Sequence, residues 1–243
     1  MPHVEGAGVA LHYEERGAGS PLLVVHGMAS DAAHHAPVLD ELAAAGRHAI
    51  ALDRRGYGSS GRPEPYAATS VQEQAEDVAA LLEALEAVPA VLVGDGFGAV
   101  IVLELLVRRP ELASGAVLVD PPLHAFVPEA TKALAVEREL LEEALREGGP
   151  EAAVRAWLGD GADAALAARA AADHAGFFAD YAGQSSWSPA RRELRAIGVP
   201  VAVVTGGATP AHIVAAADAV AALVPGARRV SDGDVVAAVS ALA

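Results

Sequence analysis

Val91-Leu92-Val93-Gly94-Asp95-Gly96-Phe97-Gly98-Ala99 is the stretch on which the reading of this chain turns. An apolar run, of the kind a strand buried on both faces requires, meets three closely spaced glycines, and an apolar helical pattern follows at once. Open α/β sheets place their chemistry at such junctions, because the turn lies at the carboxyl end of a strand and the helix N-terminus offers unpaired N–H groups. Two readings fit. In one, the stretch is a nucleophile elbow, Gly-x-Ser-x-Gly, with Gly96 standing where the serine would be. In the other, Gly94, Gly96 and Ala99 match the dinucleotide fingerprint G-x-G-x-x-G/A, and Asp120 closes the next apolar strand about 20 residues on, which would make the chain an NAD(P)-binding oxidoreductase.

Outward from this junction, strand and helix patterns alternate. Residues 9–15 read as an antiparallel edge strand, and residues 21–25 as a buried strand ending in His26-Gly27-Met28. Residues 35–45 read as a helix stopped by Gly46, and 48–52 as the next strand. Val71, Ala75, Val78, Leu81, Leu82 and Leu85 keep helical spacing behind an N-cap at Thr69 or Ser70, with Glu73 placed for a capping box and Pro89 ending the helix. Residues 97–109 follow the glycines as a helix closed by Pro110, and 116–119 form a strand that ends in Asp120-Pro121-Pro122. There the alternation stops. Residues 123–190 hold helical patterns only, over 129–147, 151–158 and 162–181, broken at Gly148-Gly149-Pro150 and Gly159-Asp160-Gly161. Alternation resumes with a strand at 199–204, a helix at 211–223, a strand near 228–230 and a short helix from Asp234. The expectation is an α/β core of residues 1–122 and 191–243, a mostly parallel sheet with helices on both faces, carrying a helical cap of residues 123–190 after the sixth strand.

Composition narrows the function. A net charge of −15 with no run of Lys or Arg argues against nucleic acid or an anionic membrane surface as partner. No cysteine means no thiolate nucleophile, no disulfide and no Cys-ligated metal, and no apolar run nears the ~18 residues of a membrane span, so a cytoplasmic location is expected. No Asp/His cluster has metal-ligand spacing, so no metal is expected, nor any cofactor on the elbow reading. Of the aromatics (four Phe, four Tyr, two Trp), six fall in the expected cap: Phe126, Trp157, Phe177, Phe178, Tyr181 and Trp187. With Phe97 beneath them, this concentration points to a pocket for a flat or hydrophobic ligand, although aromatics also make the core of a small helical unit.

The order of motifs resembles the α/β-hydrolase superfamily over nearly the whole chain, and in particular its cap-bearing esterase- and thioesterase-like members. His26-Gly27 is similar to the family's oxyanion loop, Asp53 to Pro63 to its D-x-R-G-x-G-x-S-x-x-P loop, Gly94 to Gly98 to its elbow, and the 123–190 block to its cap. The dinucleotide reading predicts none of the other three. The resemblance implies a triad of nucleophile after the fifth strand, acid after the sixth or seventh, and His after the last. None of the three is present: the positions hold Gly96, Thr209 in Thr205-Gly206-Gly207-Ala208-Thr209-Pro210, and Ser231-Asp232-Gly233-Asp234. The covalent route is thereby lost.

What the resemblance leaves is backbone. The oxyanion donors would be the N–H groups of Met28 and Phe97, aimed above Gly96. Base candidates are His124, after the sixth strand, and His212, at the start of a helix beside Thr209. Asp95 and Asp120 are weaker candidates, read more simply as a turn-capping and a loop-capping carboxylate. His34, Phe126, Trp157, Phe178, Tyr181 and Trp187 are candidate pocket residues. His26 reads as a support of the oxyanion loop, and Asp53-Arg54-Arg55 as ion pairs beneath it. The expected activity is acyl transfer or release on a small hydrophobic, aromatic acyl ester or thioester, free or presented by a carrier protein. A non-catalytic binding or interaction protein and a non-hydrolytic lyase or cyclase stand as alternatives.

Overall fold

The computed structural model describes residues 2–242. Eight strands form a single sheet: β1 (His3–Glu5), β2 (Ala10–Arg16), β3 (Ser20–Val25), β4 (Arg47–Leu52), β5 (Ala90–Asp95), β6 (Ala113–Val119), β7 (Val201–Val204) and β8 (Arg228–Val230). Their order is β1-β2-β4-β3-β5-β6-β7-β8, antiparallel at β1/β2 and β2/β4 and parallel from β4 onward.

The pleat sorts each strand into two layers, since successive side chains point to opposite faces. Leu23 and Val25 pack with α2 (Val71–Ala84), α3 (Phe97–Arg108) and, further along the sheet, α8 (Ala211–Leu223). Leu22 and Val24 join the opposite layer with α1 (Ala36–Ala44) and α9 (Val235–Ser240). Because both faces are covered, the inner strands are unbroken apolar runs, which is why they stand out in the sequence. Ser70 is the cap of α2, its hydroxyl accepting from the Glu73 N–H at 3.1 Å.

Between β6 and β7 lie α4 (Ala130–Leu158), α5 (Ala164–Ala172), α6 (His174–Ser186) and the single-turn α7 (Arg191–Leu194). Leu141, Ala153, Val154, Ala170 and Phe177 form a separate small core that also takes in Ala29, just past the end of β3, so the cap helices sit over the carboxyl ends of the strands. Two expectations need correction. The break read at Gly148-Gly149-Pro150 is a kink within α4, narrower than three residues: Gly149 alone leaves helical geometry (φ 79°, ψ −173°), and Pro150 starts the second arm, where its missing N–H costs nothing. The 162–181 pattern is two helices, divided at Asp173, whose carboxylate accepts from the Gly58 N–H at 2.8 Å. β1 was not anticipated, being three residues without apolar alternation. Among the described residues no helix is long and apolar enough to cross a membrane.

Candidate active site

The three glycines of the elbow exist for different reasons. A Cβ on Gly94 would lie 2.5 Å from the Ala99 Cα, and one on Gly98 would lie 2.0 Å from the Val25 carbonyl oxygen. Those two let α3 cross β5 and β3 at close range. A Cβ on Gly96 would meet nothing nearer than the Gly27 Cα at 3.8 Å. Its backbone (φ 52°, ψ −117°) is the strained turn on which a nucleophile is presented, here held by a residue that tolerates it. The elbow is built and its side chain is missing.

Above Gly96 lies a pocket of about 350 Å³ whose wall includes Gly27, Met28, Phe97, Asp120, His124 and His212. The Phe97 N–H is the first of α3 and so has no intrahelical acceptor. Among the described residues neither it nor the Met28 N–H donates to an internal acceptor. A second, mainly apolar cavity of about 830 Å³ adjoins the first, sharing Pro122, His124, Leu134, Glu137 and Gln184 as common walls.

The structure brings His124 and His212 together. Their rings stack with centroids 5.9 Å apart and planes 28° from parallel. Burial first, and then the neighbouring His212 ring, push the His124 imidazole down to about 4. Its Nδ1 is buried without a hydrogen-bond partner among the described residues. His124 is therefore neutral at pH 7 and a weaker base than an ordinary imidazole. This carries a stability consequence. As pH falls below the ordinary value of 6.5, unfolded His124 takes up a proton that the folded chain refuses until about pH 4, so folding is progressively penalised across that window. With solvent screening of a half-buried ring the loss is on the order of 1 kcal/mol. His124→Gln is expected to lower the melting temperature less than the parent between pH 7 and pH 5; parallel melting curves would show that the ring is not held neutral.

Asp120 accepts from the Thr209 hydroxyl at 2.7 Å, and that hydroxyl in turn accepts from the Gly206 N–H at 2.8 Å. Burial raises the Asp120 pKa; the Thr209 bond works against that, and the nearby Asp95 carboxylate adds to it. The acid positions after β6 and β7 thus meet, but they bond each other rather than a histidine. Asp95 does not cap the turn. Its carboxylate faces His35 Nε2 at 3.5 Å, and although burial works against charge on His35, the Asp95 bond and charge outweigh it and raise the imidazole pKa. After β8, where the resemblance would put a histidine, a Cβ on Gly233 would lie 3.6 Å from the Gly206 Cα, and Asp234 caps α9 by accepting from the Ala237 N–H at 2.8 Å.

The pocket candidates divide. Trp157 lines the pocket over Gly96, and Tyr181 lines the larger cavity. Trp187 also borders that cavity, but it is 8% exposed and its indole N–H donates to Glu104 at 2.9 Å, so it anchors the cap to α3. Three candidates lie elsewhere. His34 lines a separate cleft with His35 and Asp95 on the α1 side of the sheet. Phe126 packs on the core beneath the Arg191 guanidinium, 4.7 Å from the ring centre. Phe178 belongs to the cap's own core, edge-on to Phe177 at 5.2 Å. Sequence reasoning missed Glu137 and Gln184 as wall residues, because they sit in helical patterns whose polar positions read as solvated faces. Among the described residues no group of three or more His, Asp or Glu could hold a metal ion.

Comparison with known proteins agrees with this architecture. A family model described as Serine aminopeptidase, S33, matches residues 19–210. An epoxide hydrolase of Caballeronia sordidicola is 36% identical over 104 residues, 43% of this chain and 32% of that protein. The matched stretches span about half or less of the length of the curated relatives. Among solved structures, an α/β hydrolase from Sphaerobacter thermophilus superposes with a TM-score of 0.75 at 24% identity, covering 99% of this chain and 98% of the other. Est816, described as an N-acyl homoserine lactone degrading enzyme, gives 0.65 at 28% identity, covering 95% and 91%. With the strand order, the glycine elbow and a family match over most of its length, the chain belongs to the α/β-hydrolase superfamily.

Proposed function

We propose that the chain transfers or releases the acyl group of a hydrophobic, aromatic ester or thioester, free or carrier-bound, without a covalent enzyme intermediate. What supports this reading is that the Met28 and Phe97 N–H groups have no internal acceptor among the described residues and that both residues line the pocket over Gly96, which has no side chain. The substrate carbonyl oxygen sits between those N–H groups. The acceptor, a water, hydroxyl or thiol, occupies the space above Gly96 and forms a bond to the carbonyl carbon. Its proton passes to the imidazole of His124 or His212, and collapse of the oxyanion breaks the bond to the leaving alkoxide or thiolate, which takes the proton back. Two preorganised donors contribute on the order of 3 kcal/mol to such a step, about two powers of ten in rate. The likeness to Est816, described as an N-acyl homoserine lactone degrading enzyme, supports the reaction class. The apolar character of the larger cavity also favours a second reading, a binding protein for a small hydrophobic ligand.

Turnover of a panel of aromatic and aliphatic p-nitrophenyl esters and acyl thioesters separates the two. Acyl transfer predicts turnover that survives His124→Gln or His212→Gln singly, each imidazole covering for the other. It also predicts a fall of about 10- to 10²-fold when the Met28 amide is replaced by an ester through incorporation of the corresponding 2-hydroxy acid. Thermal stabilisation by panel members with no turnover across the panel would overturn acyl transfer in favour of binding.

A further inference from the structure

Arg54 lies outside both cavities, buried behind the oxyanion loop, and the reaction proposed above makes no use of it. Its bonding is directed at one peptide unit. The Arg54 Nη2 group donates to the Gly27 carbonyl at 2.8 Å and its Nε to the His26 carbonyl at 2.8 Å. The Gly27 carbonyl belongs to the same planar peptide as the Met28 N–H, and in a trans peptide the two point in opposite directions. Fixing the carbonyl toward Arg54 therefore fixes the N–H away from it.

A second donor reaches the same carbonyl. His26 Nδ1 lies 2.8 Å from the Gly27 oxygen, while His26 Nε2 accepts from the Arg54 backbone N–H at 3.0 Å, which assigns the proton to Nδ1. A carbonyl that takes a charge-assisted bond and a neutral one is strongly polarised, and the N–H across the amide becomes the better donor. The same guanidinium lies 5.2 Å from the Phe97 ring centre, so it also packs against the residue that supplies the other amide.

Arg54 is itself held from the cap. Its Nη2 meets Asp180 Oδ2 at 2.7 Å, and Asp180, on α6, is fully buried. The Tyr57 hydroxyl donates to that oxygen at 2.7 Å, and Gln74 Nε2 donates to Asp180 Oδ1 at 2.6 Å. Gln74 also accepts from Arg54 Nη1 at 2.5 Å, which closes the network. The neighbouring Arg55 is equally buried but points elsewhere, to Asp77 at 2.6 and 2.8 Å, and touches no part of the oxyanion loop.

We infer that Arg54 is a positioning residue that orients and polarises the Gly27–Met28 peptide, and that Asp180 carries this setting from the seated cap to the oxyanion hole. The inference rests on the Met28 N–H acting as an oxyanion donor, and its test has a readout that needs no turnover. In Arg54→Lys one ammonium cannot serve two carbonyls and Asp180 together. The Met28 amide cross-peak in a ¹H–¹⁵N spectrum is expected to move. On the best ester of the panel, kcat is expected to fall by about tenfold or more with KM within about twofold, the mark of an interaction made in the transition state. Arg55→Lys is the control, lowering stability while leaving the Met28 cross-peak and kcat in place. Should Arg54→Lys fail to fold, the nearly isosteric Asp180→Asn takes its place with the same expected displacement and kcat loss. A Met28 cross-peak that stays put in the folded variant overturns the inference even if the parent turns over. A displaced cross-peak in a protein with no turnover leaves the positioning intact and removes acyl transfer instead.

Discussion

Gly98→Ala is expected to destabilise the chain by at least about 3 kcal/mol, enough to deplete folded protein in a domain whose total stability is of order 5–15 kcal/mol. The methyl would sit 2.0 Å from the Val25 carbonyl oxygen and 2.8 Å from the His26 carbonyl oxygen, and neither atom is the end of a flexible side chain. Relief requires α3 to move off the centre of the sheet, where it buries every residue from Phe97 to Leu106. Gly96→Ala, two residues earlier, meets open space and bears only the strain of a positive φ, about 1–3 kcal/mol. It is expected to fold, and to turn over esters poorly because the methyl intrudes on the acceptor's position. Urea denaturation of the two variants side by side checks this. Similar midpoints would show that the glycines share one role.

Asp77→Ala is the second change with a large expected effect. The carboxylate takes two bonds from Arg55, whose side chain is fully buried, and one from the Ala7 N–H at 2.8 Å. Removing it strands a guanidinium that retains only Glu73 and the Ala7 carbonyl, a situation that typically costs 3–5 kcal/mol. It also unpins the segment linking β1 and β2, whose Ala7 backbone is tied at both ends to this pair. Chemical denaturation is expected to show the full loss. A change below about 1 kcal/mol would mean that Glu73 suffices as counter-ion.

Most of the architecture is legible in the sequence because a sheet covered on both faces writes its inner strands as continuous apolar runs. The Gly27, Asp53–Pro63 and Gly94–Gly98 stretches then fall in a fixed order along it. The backbone part of the site is legible for a related reason: Met28, Gly96 and Phe97 are located by the turn, not by side-chain direction. What stayed hidden depends on direction. His124 and His212 come from either side of the cap insertion, and only the docking of α8 beside the segment after β6 stacks them. Phe178 and Tyr181 lie on one helix and both pack against the cap's core at Phe177, yet of the two Tyr181 also borders the larger cavity, a difference set by which face α6 turns to its neighbours. Arg54 and Arg55 read as a single cluster, but consecutive side chains diverge, one to the oxyanion loop and one to Asp77.

The openness at Gly96 bears on what a serine at this position would meet. A glycine codon of the GGC or GGU type becomes a serine codon by one base change, and neither steric exclusion nor backbone rearrangement stands in the way at this turn. The barrier lies elsewhere. Thr209 is bonded to Asp120 and Asp234 is spent on α9, so among the described residues a hydroxyl here would have the stacked His124 and His212 imidazoles of the pocket wall to turn to, with Asp120 already committed. A lone Gly96→Ser change therefore fits the turn but does not by itself assemble a Ser-His-Asp relay.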